Sequence, residues 1–191
     1  MRSHRTAMSD RAIAFLARKR VPLGFVTTIV ALVLARPTWT TWRMGLLVAL
    51  AGEAIRIWAA GHLEKGREVT SSGPYRWMGH PLYVGSSILA LGVVIAARSV
   101  PLAVLAALYM GATITAAIRT EEAYLRRTFG ETYDLYQQSR GLGAVARGAK
   151  AAAPSSRRFS LARAMRNREY RAALGVLIGF ALLALKAMLP I

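Results

Sequence analysis

The residues that could carry chemistry fall into two groups, one in a loop and one at the end of an apolar segment. The loop is the stretch 72–85, where Tyr75, Arg76, His80 and Tyr83 stand among turn-forming glycines and prolines. Each proline disfavours the α conformation of the residue before it, so this backbone is predicted to be irregular. Near a bilayer, unpaired backbone groups are tolerated only where protein, water or a ligand satisfies them. The loop is therefore a candidate ligand site.

The second group is a pair of adjacent glutamates, Glu121 and Glu122. Beside a basic aromatic loop, paired carboxylates suit a zwitterionic ligand that also carries a flat ring. A carboxylate binds an ammonium group, Arg76 or backbone N–H groups bind a carboxylate, and the ring packs on aromatic side chains. Taken alone, the pair is more typical of a solvated helix end, so this interpretation requires the loop to lie nearby.

Residue usage argues against several other chemistries. The chain has no cysteine, which excludes disulfides, thiolate metal ligands and a thiol nucleophile within it. It has three histidines and no Gly-x-Ser-x-Gly sequence, so we expect neither a multi-histidine metal site nor a serine triad. A partial dinucleotide fingerprint begins at Gly141, but no strand is predicted before it, and it is interpreted as a linker.

The elements that must position these groups are apolar and basic at once. Of 191 residues, 54% are hydrophobic, and 26 Lys and Arg against 9 Asp and Glu give a formal net charge of +17. A soluble nucleic-acid-binding protein would share the charge but would lack apolar stretches of bilayer length, so no nucleic-acid partner is expected. The pattern predicts an all-α, polytopic membrane bundle with about five transmembrane helices and cytoplasmic interfacial helices. The apolar segments are residues 21–35, 42–62, 81–97, 102–118 and 172–189.

These segments divide the chain into four predicted regions. A basic N-terminal segment precedes the transmembrane core, and a basic linker with an interfacial helix leads to a C-terminal transmembrane helix. The fourth apolar segment continues without a break past the two glutamates, so its helix is predicted to project from the membrane and to end at Gly130. The four regions are residues 1–20, 21–140, 141–171 and 172–191.

Lysine and arginine are distributed asymmetrically between the two sides of this bundle. The N-terminal segment carries six, the loop between the second and third apolar segments three, and residues 119–171 twelve, against three in the remaining loops. Cytoplasmic loops carry the excess of positive charge. We therefore predict an integral protein of a bacterial inner membrane, with the N-terminus and both candidate groups in the cytoplasm and the C-terminus on the opposite side.

Two charged residues, Glu53 and Arg56, lie one helical turn apart inside the second apolar segment. Charges at membrane depth are costly unless they are paired, which makes the pair a candidate for substrate binding. An ion pair that pins two helices together explains it equally well.

Four short motifs occur in a fixed order between residues 73 and 136. They are Gly73-Pro74-Tyr75-Arg76, His80-Pro81-x-Tyr83-x-Gly85, Glu121-Glu122 and Phe129-Gly130-x-x-Tyr133-x-x-Tyr136. This ordered set resembles the isoprenylcysteine carboxyl methyltransferase and phospholipid methyltransferase superfamily of integral membrane enzymes. The resemblance covers roughly residues 52–136.

The resemblance implies S-adenosylmethionine as methyl donor, with S-adenosylhomocysteine as product. It implies a cytoplasm-facing cofactor pocket, partly covered by the segment after the last core helix, and a lipophilic small molecule, lipid or lipidated acceptor that enters from the bilayer. Cofactor binding then falls to Tyr75, His80, Pro81, Tyr83, Gly85, Glu121 and Glu122, catalysis to His80, Arg76 and Glu122, and substrate contacts to Glu53 and Arg56.

Two features depart from the family pattern. Family members commonly have arginine before His-Pro, and here that position is Gly79, so Arg76 or Arg56 would have to replace it. The apolar segment after the motifs, residues 172–189, is not part of the minimal family core. Its Gly175 and Gly179 form a Gly-x-x-x-Gly pattern that serves dimerisation or packing within the chain equally well.

The implied reaction is in-line displacement at the sulfonium methyl group, for which alignment and removal of water supply most of the catalysis. A carboxylate acceptor needs no base, whereas an amine or phenol acceptor would need His80 or a glutamate to take its proton. Two other functions stay open. One is a membrane reductase with a nicotinamide cofactor, and the other is a small transport bundle that uses Glu53, Arg56 and Glu122.

Overall fold

The computed structural model describes residue 26 and residues 29–139 and 157–189, and these ranges contain helices and loops without a strand. The predicted all-α class is confirmed for this part of the chain. Residues 29–34 are helical, and a 3₁₀ helix, Gly73–Arg76, lies in the loop after the first long helix. The α-helices are α1 (Trp39–Ala60), α2 (Pro81–Ala97), α3 (Val100–Phe129), α4 (Glu131–Ser139), α5 (Leu161–Arg166) and α6 (Tyr170–Met188).

Local signals set most of these helix ends. Pro81 occupies the first turn of α2, where its missing N–H costs no hydrogen bond. Gly130, with φ +49°, ends α3 as predicted, because glycine adopts positive φ readily. α1 begins one turn earlier than predicted: the Thr38 hydroxyl accepts a hydrogen bond from the Thr41 N–H, and the Thr41 hydroxyl accepts one from the Thr38 N–H.

Helices α1 and α2 pack together through small residues. A Cβ atom on Gly45 would lie 2.4 Å from the Gly92 carbonyl oxygen, and one on Gly52 would lie 2.7 Å from the Gly85 carbonyl oxygen. The two backbones therefore approach as closely as glycine permits, which is typical of helix packing in membranes. This contact fixes the start of α2, and with it His80, relative to α1.

Helix α6 packs against α1 and against the helical residues 29–34. The indole N–H of Trp42 donates a hydrogen bond of 2.9 Å to the Phe180 carbonyl. The Lys186 ammonium donates to the carbonyls of Leu32 (2.7 Å) and Val33 (3.0 Å), at the end of that helical stretch. A cation is stabilised there by the unpaired carbonyls and the helix dipole.

Two helices in the described part of the chain are long and apolar enough to cross a membrane, α3 and α6. Helix α2 is apolar but shorter, and α1 is long enough but carries Arg43, Glu53 and Arg56. Of the five transmembrane helices expected, the described part of the chain thus contains two of suitable length and composition, and the number five stays a prediction. The first apolar segment, residues 21–35, is described only in part.

The basic regions differ in part from their prediction. The predicted interfacial helix at residues 160–171 is shorter, because α5 ends at Arg166 and a turn with Arg168 at φ +64° separates it from α6. The N-terminal segment 1–20 and linker residues 141–156 lie outside the described residues.

Candidate active site

A cavity of about 430 Å³ lies where the loop after α1, the start of α2 and the distal half of α3 meet. Helix α4 closes one side with Tyr133 and Tyr136. Carboxylate, imidazole and phenol groups share the lining with apolar side chains such as Leu82 and Leu125. The predicted residues among the lining are Tyr75, His80, Pro81, Tyr83 and Glu121.

His80 lies between the two predicted glutamates. Its Nε2 atom is 3.2 Å from Glu122 Oε1, and its Nδ1 atom is 3.7 Å from Glu121 Oε2. Burial disfavours the charged imidazole, but hydrogen bonds to the two carboxylates outweigh burial and raise the pKa of His80. The structure therefore brings the loop and the glutamate pair into one site, as the ligand interpretation requires.

Helix α4 packs against this site through two tyrosines. Tyr133 and Tyr136, three positions apart, lie on one face of α4 and are both buried. The Tyr136 hydroxyl donates a hydrogen bond of 2.9 Å to the Tyr75 carbonyl. Burial strongly raises the pKa of Tyr75, so its phenol is neutral at ordinary pH.

Gln137 links α4 to the glutamates, and sequence analysis did not single it out. Its side-chain amide lies 3.4 Å from Glu122 Oε1 and 2.6 Å from the Tyr133 hydroxyl oxygen. The available signal was spacing: Gln137 follows Tyr133 by one helical turn, on the face that carries the aromatic pair. Glu122 itself is not among the cavity lining and contacts the site through His80.

Two predicted site residues lie elsewhere. Arg76 is exposed and is not among the cavity lining. Gly85 faces α1, because a Cβ atom on it would lie 2.7 Å from both the Gly52 carbonyl oxygen and Arg56 Cγ. Gly85 therefore serves helix packing. Gly79, the position that departs from the family pattern, does line the cavity.

Glu53 and Arg56 form their predicted ion pair, with 3.4 Å between Arg56 Nε and Glu53 Oε2. Arg56 is also held by Glu169, just before α6, through hydrogen bonds of 2.8 and 3.1 Å, and it contacts the Ser86 hydroxyl. Sequence analysis missed Glu169, which is 113 positions away. The pair thus pins α1 to α2 and to the start of α6.

Arg56 also lines a second, larger cavity of about 650 Å³. This cavity lies between α2, α3 and α6 and is lined almost wholly by apolar side chains such as Leu89, Val93 and Phe180. The two cavities use successive turns of α2, since Tyr83 lines the first and Ser86 the second. An apolar molecule with a polar end fits such a space.

Comparison with known proteins agrees with the motif order. A family model described as phospholipid methyltransferase matches residues 21–132. Over 88 residues the chain is 32% identical to a protein-S-isoprenylcysteine O-methyltransferase of Schizosaccharomyces pombe, covering 46% of this chain and 37% of that protein. No solved structure matches the chain significantly.

Two bacterial relatives carry names that refer to metals. The chain is 30% identical over 133 residues to the nickel-cobalt-cadmium resistance protein NccN of Alcaligenes xylosoxydans xylosoxydans, covering 63% of this chain and 62% of that protein. It is 29% identical over 141 residues to the cobalt-zinc-cadmium resistance protein CzcN of Cupriavidus metallidurans, covering 68% and 65%. The chain thus spans less than two thirds of the length of these relatives.

Proposed function

The chain belongs to the phospholipid methyltransferase family, and on that premise we propose that it transfers a methyl group from S-adenosylmethionine to a lipophilic acceptor. Family membership and two apolar helices support a membrane-associated methyltransferase. The observation that carries the proposal is the 430 Å³ cavity in which family motif residues from the loop, α2, α3 and α4 meet.

The residues of this cavity fit S-adenosylmethionine. That molecule, when bound, supplies an electrophilic methyl group on a cationic sulfur, and it also carries an ammonium, a carboxylate and a flat adenine ring. Glu121 offers a carboxylate to the ammonium or ribose, Lys65 offers an ammonium to the carboxylate, and Tyr75, Tyr83 and Pro81 offer surfaces on which the ring can pack. Glu122 holds His80 at the cavity edge.

Catalysis in this proposal rests on positioning, water exclusion and the charge of His80. Arg76 takes no part, since it is exposed and outside the lining. The raised pKa of His80 keeps its imidazole protonated to higher pH than usual, which lowers the fraction of the neutral form that could act as a base. An acceptor that is already nucleophilic, such as a carboxylate, suits this site better than one that must lose a proton.

We place the lipophilic part of the acceptor in the 650 Å³ apolar cavity, with Arg56 and its partner Glu53 at the polar end. The position of the two linings along α2 supports this, because Tyr83 of the first and Ser86 of the second lie about one helical turn apart. The acceptor would then enter from the bilayer, between helices.

The finer topology is also part of the proposal. We propose five transmembrane helices in the core and C-terminal regions, residues 21–140 and 172–191, joined by a basic linker, with the basic N-terminus and the active site in the cytoplasm of a bacterial cell. The large excess of Lys and Arg near the cavity side supports this orientation. In the described part of the chain, no group of three or more His, Asp or Glu side chains could hold a metal ion, so the metal names of two relatives do not enter the proposal.

Calorimetry with S-adenosylhomocysteine on the purified protein in detergent tests the cofactor directly. We expect saturable binding, followed by transfer of label from S-adenosylmethionine into an extract of membrane lipids and small lipophilic molecules. Mass spectrometry of the labelled products then identifies the acceptor. Absence of cofactor binding by folded protein would contradict the proposal, and tight nicotinamide binding would favour a reductase.

A further inference from the structure

One wall of the 430 Å³ cavity is the loop formed by residues 63–70. Every residue of this loop except Arg67 lines the cavity. The loop has little secondary structure of its own: the Glu64 N–H donates to the Thr70 hydroxyl at 3.2 Å, and the Arg67 N–H donates to the Glu64 carbonyl at 3.3 Å. Contacts from other parts of the chain can therefore contribute to its conformation.

Two arginines of the basic region 141–171, Arg157 and Arg163, supply such contacts. Arg163 Nε donates a hydrogen bond of 2.9 Å to Glu64 Oε1. Arg157 donates to Glu68 Oε2 at 2.7 Å and to Glu64 Oε1 at 3.3 Å, so it joins the two carboxylates of the loop. Neither arginine is among the cavity lining.

The pair of Glu64 and Arg163 differs from an ordinary surface ion pair. Each side chain is only 13% exposed. The hydrogen bond from Arg163 lowers the pKa of Glu64 although burial acts in the opposite direction. Exposed ion pairs contribute little to stability, whereas charge-assisted hydrogen bonds screened from water hold their partners more firmly.

The segment around α5 also forms hydrogen bonds to backbone carbonyls at the end of α1. The Ser160 N–H and the Arg163 guanidinium both donate to the Gly61 carbonyl. The Asn167 side-chain amide donates to the carbonyls of Ala60 (2.9 Å) and Leu63 (3.0 Å). These bonds satisfy carbonyls that the end of a helix leaves unpaired, and they place α5 directly beside the loop.

We propose that Arg157 and Arg163 are positioning residues, which hold the 63–70 loop in the conformation that closes the cofactor cavity. Both lie outside residues 21–132, the part matched by the family model. The C-terminal segment of this chain is then more than an added membrane anchor, because it holds in place a cavity wall that belongs to the core. This inference rests on the proposed cofactor function of that cavity.

The test compares Arg163→Ala and Arg157→Ala with Arg166→Ala in the full chain. Arg166 lies on α5, as Arg163 does, but its side chain is 63% exposed and its Nη1 atom is 3.9 Å from Glu64 Oε2. It therefore serves as the matched control. We expect the first two variants to weaken S-adenosylhomocysteine binding by about tenfold. The control should bind like the wild type. The rate of label transfer into the lipophilic extract at saturating S-adenosylmethionine should change little in any of the variants.

Trypsin provides a readout that does not depend on the cofactor. Lys65 and Arg67 are exposed in the loop, and a released loop should be cut there faster. We expect Arg163→Ala to accelerate cleavage at these two sites, measured by mass spectrometry, and Arg166→Ala to leave it unchanged. Thermal melts and monodispersity confirm that each variant is folded, and Arg163→Lys should restore part of the protection.

The outcomes separate the two proposals. Wild-type protein that binds no S-adenosylhomocysteine contradicts the proposed function, while trypsin still tests the support of the loop. Wild-type binding with unchanged affinity and unchanged cleavage in Arg163→Ala and Arg157→Ala overturns the inference. Faster cleavage with unchanged S-adenosylhomocysteine affinity also overturns the inference. The arginines would then hold the loop, but its conformation would not matter for cofactor binding.

Discussion

At the scale of single residues, the site depends on one histidine and the two carboxylates that flank it. His80 is set by the His-Pro sequence at the start of α2, and the glutamates are set by the continuation of α3 beyond its apolar part. The histidine and the glutamates lie far apart in the chain and meet only in the folded protein. Together they form a cluster of ionisable groups beside the cavity, which we propose helps to bind the cofactor.

Neutralising one carboxylate should disturb this cluster. Glu122→Gln keeps the shape of the side chain but removes the negative charge 3.2 Å from His80 Nε2. We expect S-adenosylhomocysteine to bind about tenfold more weakly, since charge-assisted hydrogen bonds are stronger than neutral ones. Calorimetry measures the change, and Glu131→Gln, an exposed position on α4, is the control. Equal effects in the two variants would contradict the role of Glu122.

The raised pKa of His80 predicts a pH dependence of stability. Because the folded-state value lies above the usual histidine pKa of about 6.5, the stabilisation is fully present below that pH. It is lost as pH rises through the raised pKa of His80. We expect the difference in Tm between wild type and His80→Asn to be largest at acidic pH and to shrink as the pH becomes alkaline. A difference that grows with pH would contradict the cluster.

At the scale of elements, the contact between α1 and α2 determines where the site stands. Four glycines allow the two backbones to touch, and α2 carries residues of both cavities on successive turns. The glycines of α6 behave differently. Gly175 and Gly179 line the larger cavity, and a Cβ atom on either would meet nothing within 4 Å. Their Gly-x-x-x-Gly pattern is therefore not used for close packing in the described part of the chain.

Replacing a glycine of this contact should be costly. A Cβ atom on Gly92 would lie 2.5 Å from the Ala49 backbone nitrogen, and backbone atoms cannot move aside as a flexible side chain can. We expect Gly92→Ala to destabilise the protein by ~1 to 3 kcal/mol, measured by thermal or denaturant unfolding in detergent. Gly111→Ala in α3 is the control, because its Cβ would meet nothing within 4 Å. There the better helix propensity of alanine predicts no loss.

At the scale of the whole molecule, two cavities of opposite character share one helix. The smaller combines charged and aromatic groups, and the larger is almost entirely apolar. This division suits a reaction between a polar cofactor and a lipophilic acceptor. It predicts that a substitution can weaken the binding of one ligand without affecting the binding of the other.

Filling the apolar cavity should weaken binding of the acceptor and leave binding of the cofactor unchanged. Ala90 lines the larger cavity, and Ala90→Phe would occupy part of its volume. We expect label transfer into the lipophilic extract to fall while S-adenosylhomocysteine affinity stays within about twofold. Ala107→Phe, at an exposed position of α3 outside both linings, is the control. Loss of cofactor binding in Ala90→Phe would contradict the separation of the two sites.

Much of the architecture is local in the sequence. Pro81 starts α2 and Gly130 ends α3 as expected, because these residue types restrict or permit particular backbone angles. The end of α2 at Ala97 also agrees with expectation, although Arg98 with φ +49° rather than a glycine follows it. The order of the short motifs identified the family and both halves of the candidate site. The start of α1 was predicted one turn late, because the apolar segment begins at residue 42 and the capping box of Thr38 and Thr41 lies before it.

The tertiary structure alone decided the partners of the charged residues. Arg56 meets Glu169 across 113 positions, and Arg163 meets Glu64 across 99. It also showed that Arg76 stands outside the cavity and that Gly85 packs against α1. Residue type and spacing along the chain determine helices, membrane segments and family. An ion pair or a cavity wall depends on how separate helices pack, and packing follows from the shapes of surfaces that are brought together only in the folded chain.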